Sequence, residues 1–264
     1  MVIALLIILA NAYLLIQLNT IHIFIPVRTQ LPALFYIMFA AGFNPIHLLT
    51  PTLVVSFLVI IILFRLFATY KMDGPSVNFL DAGFLISLAS LIYFPAILLF
   101  VFLLVALVIL RQLNWREWVY VFVGLLLPYL FVIAGYYLAG VPVREFFPEF
   151  NRLIEHHKQT YSIIQLIGWV YVVAMMIYSS YYMASAIDNM KIHGRKIFML
   201  FLWLFLFALI IYVVIPGVGM DMVSIAAIPL SYLLSHFFCN SARNWINEGL
   251  LAIFLVIVLL LRIL

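Results

Sequence analysis

Residues Val119–Leu138 read VYVFVGLLLPYLFVIAGYYL, 20 residues without a single charge. A helix needs about 20 consecutive apolar residues to cross a bilayer, so this stretch is expected to span one. Pro128 lies inside it; such a proline more often kinks a spanning helix than marks a functional break. On the N-terminal side stands Arg111–Trp118, RQLNWREW. Two arginines and two tryptophans at the edge of an apolar run form an interfacial anchor, and Arg116 is also a candidate for holding an anionic lipid headgroup. On the C-terminal side stands the longest polar loop, Val141–Ser162, VPVREFFPEFNRLIEHHKQTYS.

The same pattern repeats along the chain. Of 264 residues, 69% are hydrophobic and 8% charged, against roughly 25% charged in a soluble domain. Mean hydropathy is +1.29. A soluble globular protein, a disordered tail and a disulfide scaffold are excluded. What fits is an all-α polytopic transmembrane helix bundle, one integral membrane domain over 1–264. Ten apolar segments stand out, at 1–18, 31–43, 51–70, 82–94, 96–110, 119–138, 163–187, 197–215, 223–238 and 249–264. Segments 31–43 and 82–94 are short enough to be half-spanning, so about 8–10 segments are expected to enter the membrane. The first segment lacks a basic leader region and a small-residue cleavage site, so it reads as a spanning helix rather than a signal peptide.

Turn chemistry marks the breaks. Asn44-Pro45 and Thr50-Pro51 bracket a tight turn, and Asp73-Gly74-Pro75-Ser76 is a loop. Asp81 is expected to cap a helix starting near Ala82. Pro95 has no polar neighbour and leaves two alternatives open: a very tight hairpin, or one long kinked helix that reverses everything downstream. If all ten segments cross, Arg28, Arg65, Lys71, Arg111, Arg116, Lys191, Arg195, Lys196 and Arg243 share one side, and Arg144, Arg152, Lys158 and Arg262 the other. The positive-inside rule assigns the first side to the cytoplasm and the N-terminus to the outside. No charge falls in the middle of a segment; Arg65 is nearest, placed to snorkel to the interface. Intramembrane ionisable groups usually mark ion pathways, so a proton-coupled pump is disfavoured. No internal repeat suggests two pseudo-symmetric transporter halves.

Chemistry-bearing residues concentrate in the outer loop. Phe146, Phe147, Phe150, Leu153, Ile154 and Tyr161 recur at helical spacing, while Glu145, Glu149, Arg152 and His156 form another stripe. The segment is expected to lie as an amphipathic helix on the outer membrane face, with Pro148 in its first turn. A structural interface helix with its charges in water is the commoner role for such a segment. The functional alternative places Arg152 and Lys158 on a phosphate, with Glu149, His156 or His157 as acid or base.

Other chemistries find little. Cys239, the single cysteine, has no internal disulfide partner, and there is no CxxC zinc pair. The six histidines are scattered over both sides, without HExxH or other ligand spacing, so no metal site is assigned. Asp81 and Asp221 map to opposite sides and form no acid/base pair. Walker A, GxGxxG and GxSxG motifs are missing. No cofactor is implied, and isolated basic residues beside apolar runs do not suggest nucleic acid.

Two resemblances add to this reading. Phe79–Ala96, FLDAGFLISLASLIYFPA, with Leu113–Trp118, LNWREW, and Gly124–Phe131, GLLLPYLF, resembles an uncharacterised family of bacterial multi-spanning inner-membrane proteins known only as a domain of unknown function. The resemblance implies a bacterial cytoplasmic-membrane location, brings no established activity, and leads one to expect a further helix upstream of the abrupt start at Met1. Some members have carried a carotene-monooxygenase label, which the scattered histidines do not support. A second resemblance is to O-antigen ligases and polysaccharide polymerases. Their pattern of His, a small polar residue, nine positions and Gly-x-x-Gly/Thr/Tyr is matched by His157, Gly168 and Tyr171 and broken by Lys158. It implies His157 as a base and Arg152 on a lipid-linked pyrophosphate.

Three functions follow as expectations. The first is a membrane subunit or scaffold in envelope assembly or transport, with membrane lipids and other membrane proteins as partners. The second is an enzyme acting on polyprenyl-phosphate-linked glycans at the outer face, with His157 and Glu149 catalytic and Arg152, Lys158 and Arg116 binding substrate. The third is a carrier for a small or lipidic solute.

Overall fold

The computed structural model describes residues 2–22, 25, 29–43, 49–70, 77–111, 115–140, 170–171, 173–181, 192–215, 218–240, 249 and 251–256. Among them every regular element is helical. The named helices are α1 (Val2–His22), α2 (Leu31–Phe43), α3 (Pro51–Ala68), α4 (Asn78–Ile92), α5 (Leu99–Leu110), α6 (Trp115–Leu138), α7 (Ile192–Val214) and α8 (Val223–Asn240), with short 3-10 turns at Phe94–Leu98 and Met220–Met222. Helices α1, α3, α6 and the Gly194–Val214 part of α7 are long and apolar enough to cross a membrane; α2, α4, α8 and Phe94–Leu110 are shorter apolar helices.

Local chemistry explains the boundaries. Thr50 is extended and Pro51 opens α3, where a missing N–H costs nothing and φ is already helical. At the other end of α3, Thr69 donates its hydroxyl to the Leu66 carbonyl at 2.6 Å. Helix α4 starts four residues earlier than expected, at Asn78. Asp81 therefore does not cap it. It sits in the first turn, where an acid still favours the positive helix end, and faces Arg65 of α3 at 3.4 Å.

The break at Pro95 is a hairpin. Helix α4 stops at Ile92, Tyr93 is extended, and Pro95 lies in the first positions of the 3-10 turn. Beyond the turn the chain runs back. Arg111, at the end of α5, donates to the Thr69 carbonyl at 3.3 Å, so α5 finishes where α3 finishes and α4 begins. Helix α6 then runs parallel to α4. Gly83 lies against Val121–Leu125, and seven residues on, the Ser90 and Tyr129 hydroxyls meet at 2.6 Å. Helices α1 and α3 are parallel as well: Asn11 bonds Ser56, and His22 meets Phe67 edge-on at 5.5 Å. Lys196, in the first turn and a half of α7, donates to the Leu110 carbonyl at 3.1 Å. Each described helix thus reverses the one before it from α1 to α6.

Helix α8 is the centre. Residues 222–237 are all buried, although they include Ser224, Ser231, Ser235 and His236. Small hydroxyls suit this position because they let neighbouring helices approach and bond to their own backbone. Ser231 donates to the Ile228 carbonyl at 2.7 Å and Ser235 to the Ser231 carbonyl at 2.6 Å. Phe201 of α7 stacks on Tyr232 with 4.7 Å between centroids, and Phe35 of α2 packs on Phe238.

Candidate functional site

The alternating directions gather one set of charged groups at a single end of the bundle. Helices α3 and α5 finish there, and α4, α6 and α7 begin there. Glu117, fully buried in the first turn of α6, pairs with Arg111 at 3.1 Å. The same guanidinium reaches the Thr69 carbonyl, so one arginine ties α3, α5 and α6 together. Lys196 binds the Leu110 carbonyl and lies 5.6 Å over the Tyr70 ring. Both cations take carbonyls at helix C-terminal ends, where the helix dipole favours positive charge. Arg116 is exposed, its guanidinium 5.9 Å from the neighbouring Trp115 ring. Of this end's arginines, Arg116 is placed outward beside an aromatic, whereas Arg111 is held inward by the carboxylate of Glu117.

Deeper in the apolar layer lies a neutral polar knot. The Asn11 amide donates to the Tyr36 hydroxyl at 2.8 Å and to Ser56 Oγ at 2.9 Å. Tyr36 and Ser56 hydroxyls are 3.0 Å apart, and Ser56 passes its own hydrogen to the Leu53 carbonyl at 2.7 Å. All three side chains are fully buried. One turn further along the same face of α1, the Leu15 carbonyl accepts from Tyr232 of α8. Another turn on, Asn19 Oδ1 accepts from the Ile25 N–H at 2.9 Å. The polar groups of α1 therefore bond across to α2, α3 and α8.

The opposite end holds a different pair. Asp221, in the turn between α7 and α8, is half-buried, and loss of solvent pushes its carboxyl up from the ordinary range. Tyr93, in the α4–α5 hairpin, is raised mainly by burial and further by the charge of Asp221. Asp81 pairs with Arg65 at the first end, so the two aspartates stand at opposite ends, as their sequence positions imply. Among the described residues no three His, Cys, Asp or Glu side chains converge on a common point.

His157, Glu149, Arg152 and Lys158, together with the whole 141–162 loop, lie outside the described residues. Arg116 is therefore the candidate site residue with a described position, and it belongs to the cationic end. The Arg111–Glu117 pair and the Asn11–Tyr36–Ser56 knot were missed by sequence reasoning. The first had a signal: RQLNWREW places both charges six residues apart at one boundary. The second had none, because its members are 25 and 45 residues from Asn11.

The chain belongs to DUF6427, a family of unknown function whose profile matches residues 1–264. No curated protein and no solved structure matches it.

Proposed function

We propose that this family member is an integral subunit or scaffold of a bacterial cytoplasmic membrane, one that presents α6 to another membrane protein. The observation that carries the reading is the packing of α6. Only 17% of its apolar core is buried in the bundle, against 39–56% in the other three long apolar helices. Its contacts concentrate on α4. Leu126, Leu130, Phe131 and Tyr137 are 55–81% exposed. In lipid, helix association relies on packing rather than on hydrophobic burial, so such a face is available to a partner helix at little desolvation cost.

Photo-crosslinking in native membranes tests this. A photoreactive residue at Leu130 or Phe131 is expected to capture the same polypeptide in stoichiometric yield. One at Val101, on the lipid-facing side of α5, is expected to capture lipid. Lipid adducts alone at all three positions overturn the proposal.

A second reading, an enzyme acting on polyprenyl-phosphate-linked glycans, draws on the sequence of the 141–162 loop. It assigns His157 and Glu149 to proton transfer and Arg152 and Lys158 to a lipid-linked phosphate, while Arg116, at the opposite end of α6 from that loop, is left to a lipid headgroup on the other face. It requires that Arg152→Ala and His157→Ala each abolish function while the protein still inserts; retained function in both removes it.

A further inference from the structure

Helix α8 packs on α2 and α3, and α1 packs on the same two helices. Helix α1 runs with α3 toward the end where Arg111 is anchored, and α8 starts from the other end, after Asp221. The two therefore run in the same direction. The Tyr232 hydroxyl reaches across to the Leu15 carbonyl and fixes their register. One turn back toward the starting ends, Asn11 on α1 comes level with Ile228 and Pro229 on α8.

Both helices leave a buried acceptor unmet at this level. The Asn11 NH2 uses its two hydrogens on Tyr36 and Ser56, and its Oδ1 has no hydrogen-bond partner among the described residues. Turning the amide over does not help, because the NH2 then takes the unmet place with two hydrogens to satisfy. On α8, Pro229 lies inside the helix and has no N–H, so the Ile225 carbonyl loses its helical donor. That carbonyl points along the axis toward Pro229. Ile225, Pro229 and Tyr232 stand at i, i+4 and i+7 on one stripe of α8, so the freed oxygen lies on the side from which Tyr232 reaches α1. Asn11 and Ile225 are both 0% exposed, and a buried acceptor without a donor is costly.

An occupant that meets both oxygens must be small, because the residues around it are buried, and must bring hydrogens, because both atoms accept. A bare cation would also meet two oxygens. Helices α1, α2, α3 and α8 carry no aspartate or glutamate to balance it, and an unpaired charge in an apolar layer costs far more than a neutral donor.

We propose that one water molecule is bound between α1 and α8, giving one hydrogen to Asn11 Oδ1 and the other to the Ile225 carbonyl. Buried waters occupy such places, where polar groups are left over by the protein itself. This water extends the Asn11–Tyr36–Ser56 knot to the central helix, so that α1, α2, α3 and α8 share one hydrogen-bonded node within the apolar layer. The site is independent of the exposed face of α6.

Radiolytic hydroxyl-radical footprinting of the full chain in lipid nanodiscs tests the site, because an X-ray pulse makes radicals from bound water in place and these oxidise the side chains beside it. Tyr36, 0% exposed, is expected to be oxidised in wild type, whereas Phe102 on α5, 1% exposed, is expected to stay intact. Asn11→Leu takes away one acceptor, and Pro229→Ala takes away the other by giving Ile225 a helical N–H. In each variant Tyr36 oxidation is expected to fall to the level of Phe102. Alanine is the better helix former, so Pro229→Ala carries the test should Asn11→Leu fail to fold. Tyr36 as inert as Phe102 in wild type overturns the proposal, and so does Tyr36 oxidation unchanged in Pro229→Ala. A thermal midpoint that rises with sodium in wild type but not in Asn11→Leu also overturns it, by putting a cation in the place of water.

Discussion

Asp221 shows what a single residue contributes at an end of the bundle. It sits half-buried in the turn before α8, and desolvation raises its carboxyl. The folded chain therefore holds this proton more tightly than the unfolded chain does. The stability it contributes is complete below the ordinary carboxylate range and is lost as pH rises through the raised value. Asp221→Asn removes the charge that folding disfavours. Its thermal midpoint in detergent is expected to exceed wild type at neutral pH, and the two are expected to converge in acid. A variant that is less stable at neutral pH would show that Asp221 is held by a favourable partner instead. Asn11 teaches the complementary lesson. An asparagine in the first spanning segment was visible in the sequence, but a search for intramembrane charge passes over it. Its two donated hydrogen bonds reach residues on two other helices.

At the scale of elements, α4 and α6 pack most closely. A methyl group on Gly83 would stand 2.6 Å from the Val121 carbonyl oxygen. One on Gly124 would land on the Leu80 carbonyl and within 3.0 Å of the Phe84 nitrogen. The obstructing atoms are backbone, so relief requires the helices to part. Gly124→Ala is expected to cost about 1–3 kcal/mol, as overpacking does, and to lower the thermal midpoint in detergent. An unchanged thermal midpoint would mean that the two helices can part without loss. The Arg111–Glu117 pair gives a second expectation for the same region. Removing Arg111 leaves a buried carboxylate without its cation and is expected to cost about 3–5 kcal/mol, whereas Arg111→Met with Glu117→Leu should be close to neutral. Thermal unfolding of the single and double variants distinguishes the two cases.

At the scale of the whole molecule, the hairpin at Pro95 decides where everything after it points. It places Tyr70, Arg111 and Arg116 at one end and Tyr93 and Asp221 at the other. In a Cys239→Ser background, cysteines at Tyr70 and Arg116 are expected to react with an impermeant maleimide from one face of the membrane. Cysteines at Tyr93 and Asp221 are expected to react from the opposite face. Labelling of the Tyr70 and Arg116 positions from opposite faces would restore the single kinked helix across Pro95.

The sequence by itself determined the class of molecule and most of its segmentation. Both follow from quantities that add up locally: apolar length against bilayer thickness, and proline, glycine or charge at a break. Even the grouping of Arg65, Arg111, Arg116 and Lys196 was legible, because loop cations accumulate on one side for reasons independent of packing. Tertiary structure decided the rest. Pro95 carries the same local chemistry in a kink and in a hairpin, and only the docking of Arg111 on Thr69 separates them. Asp81 looked like a cap, but α4 begins at Asn78 and leaves Asp81 in its first turn, facing Arg65 of the preceding helix. The choice of α8 as the buried centre, despite its serines, and of α6 as the helix left largely uncovered, rests on how helices share their surfaces. In lipid that sharing is set by shape and by hydrogen bonds between distant residues, and a single chain read in order does not contain those pairings.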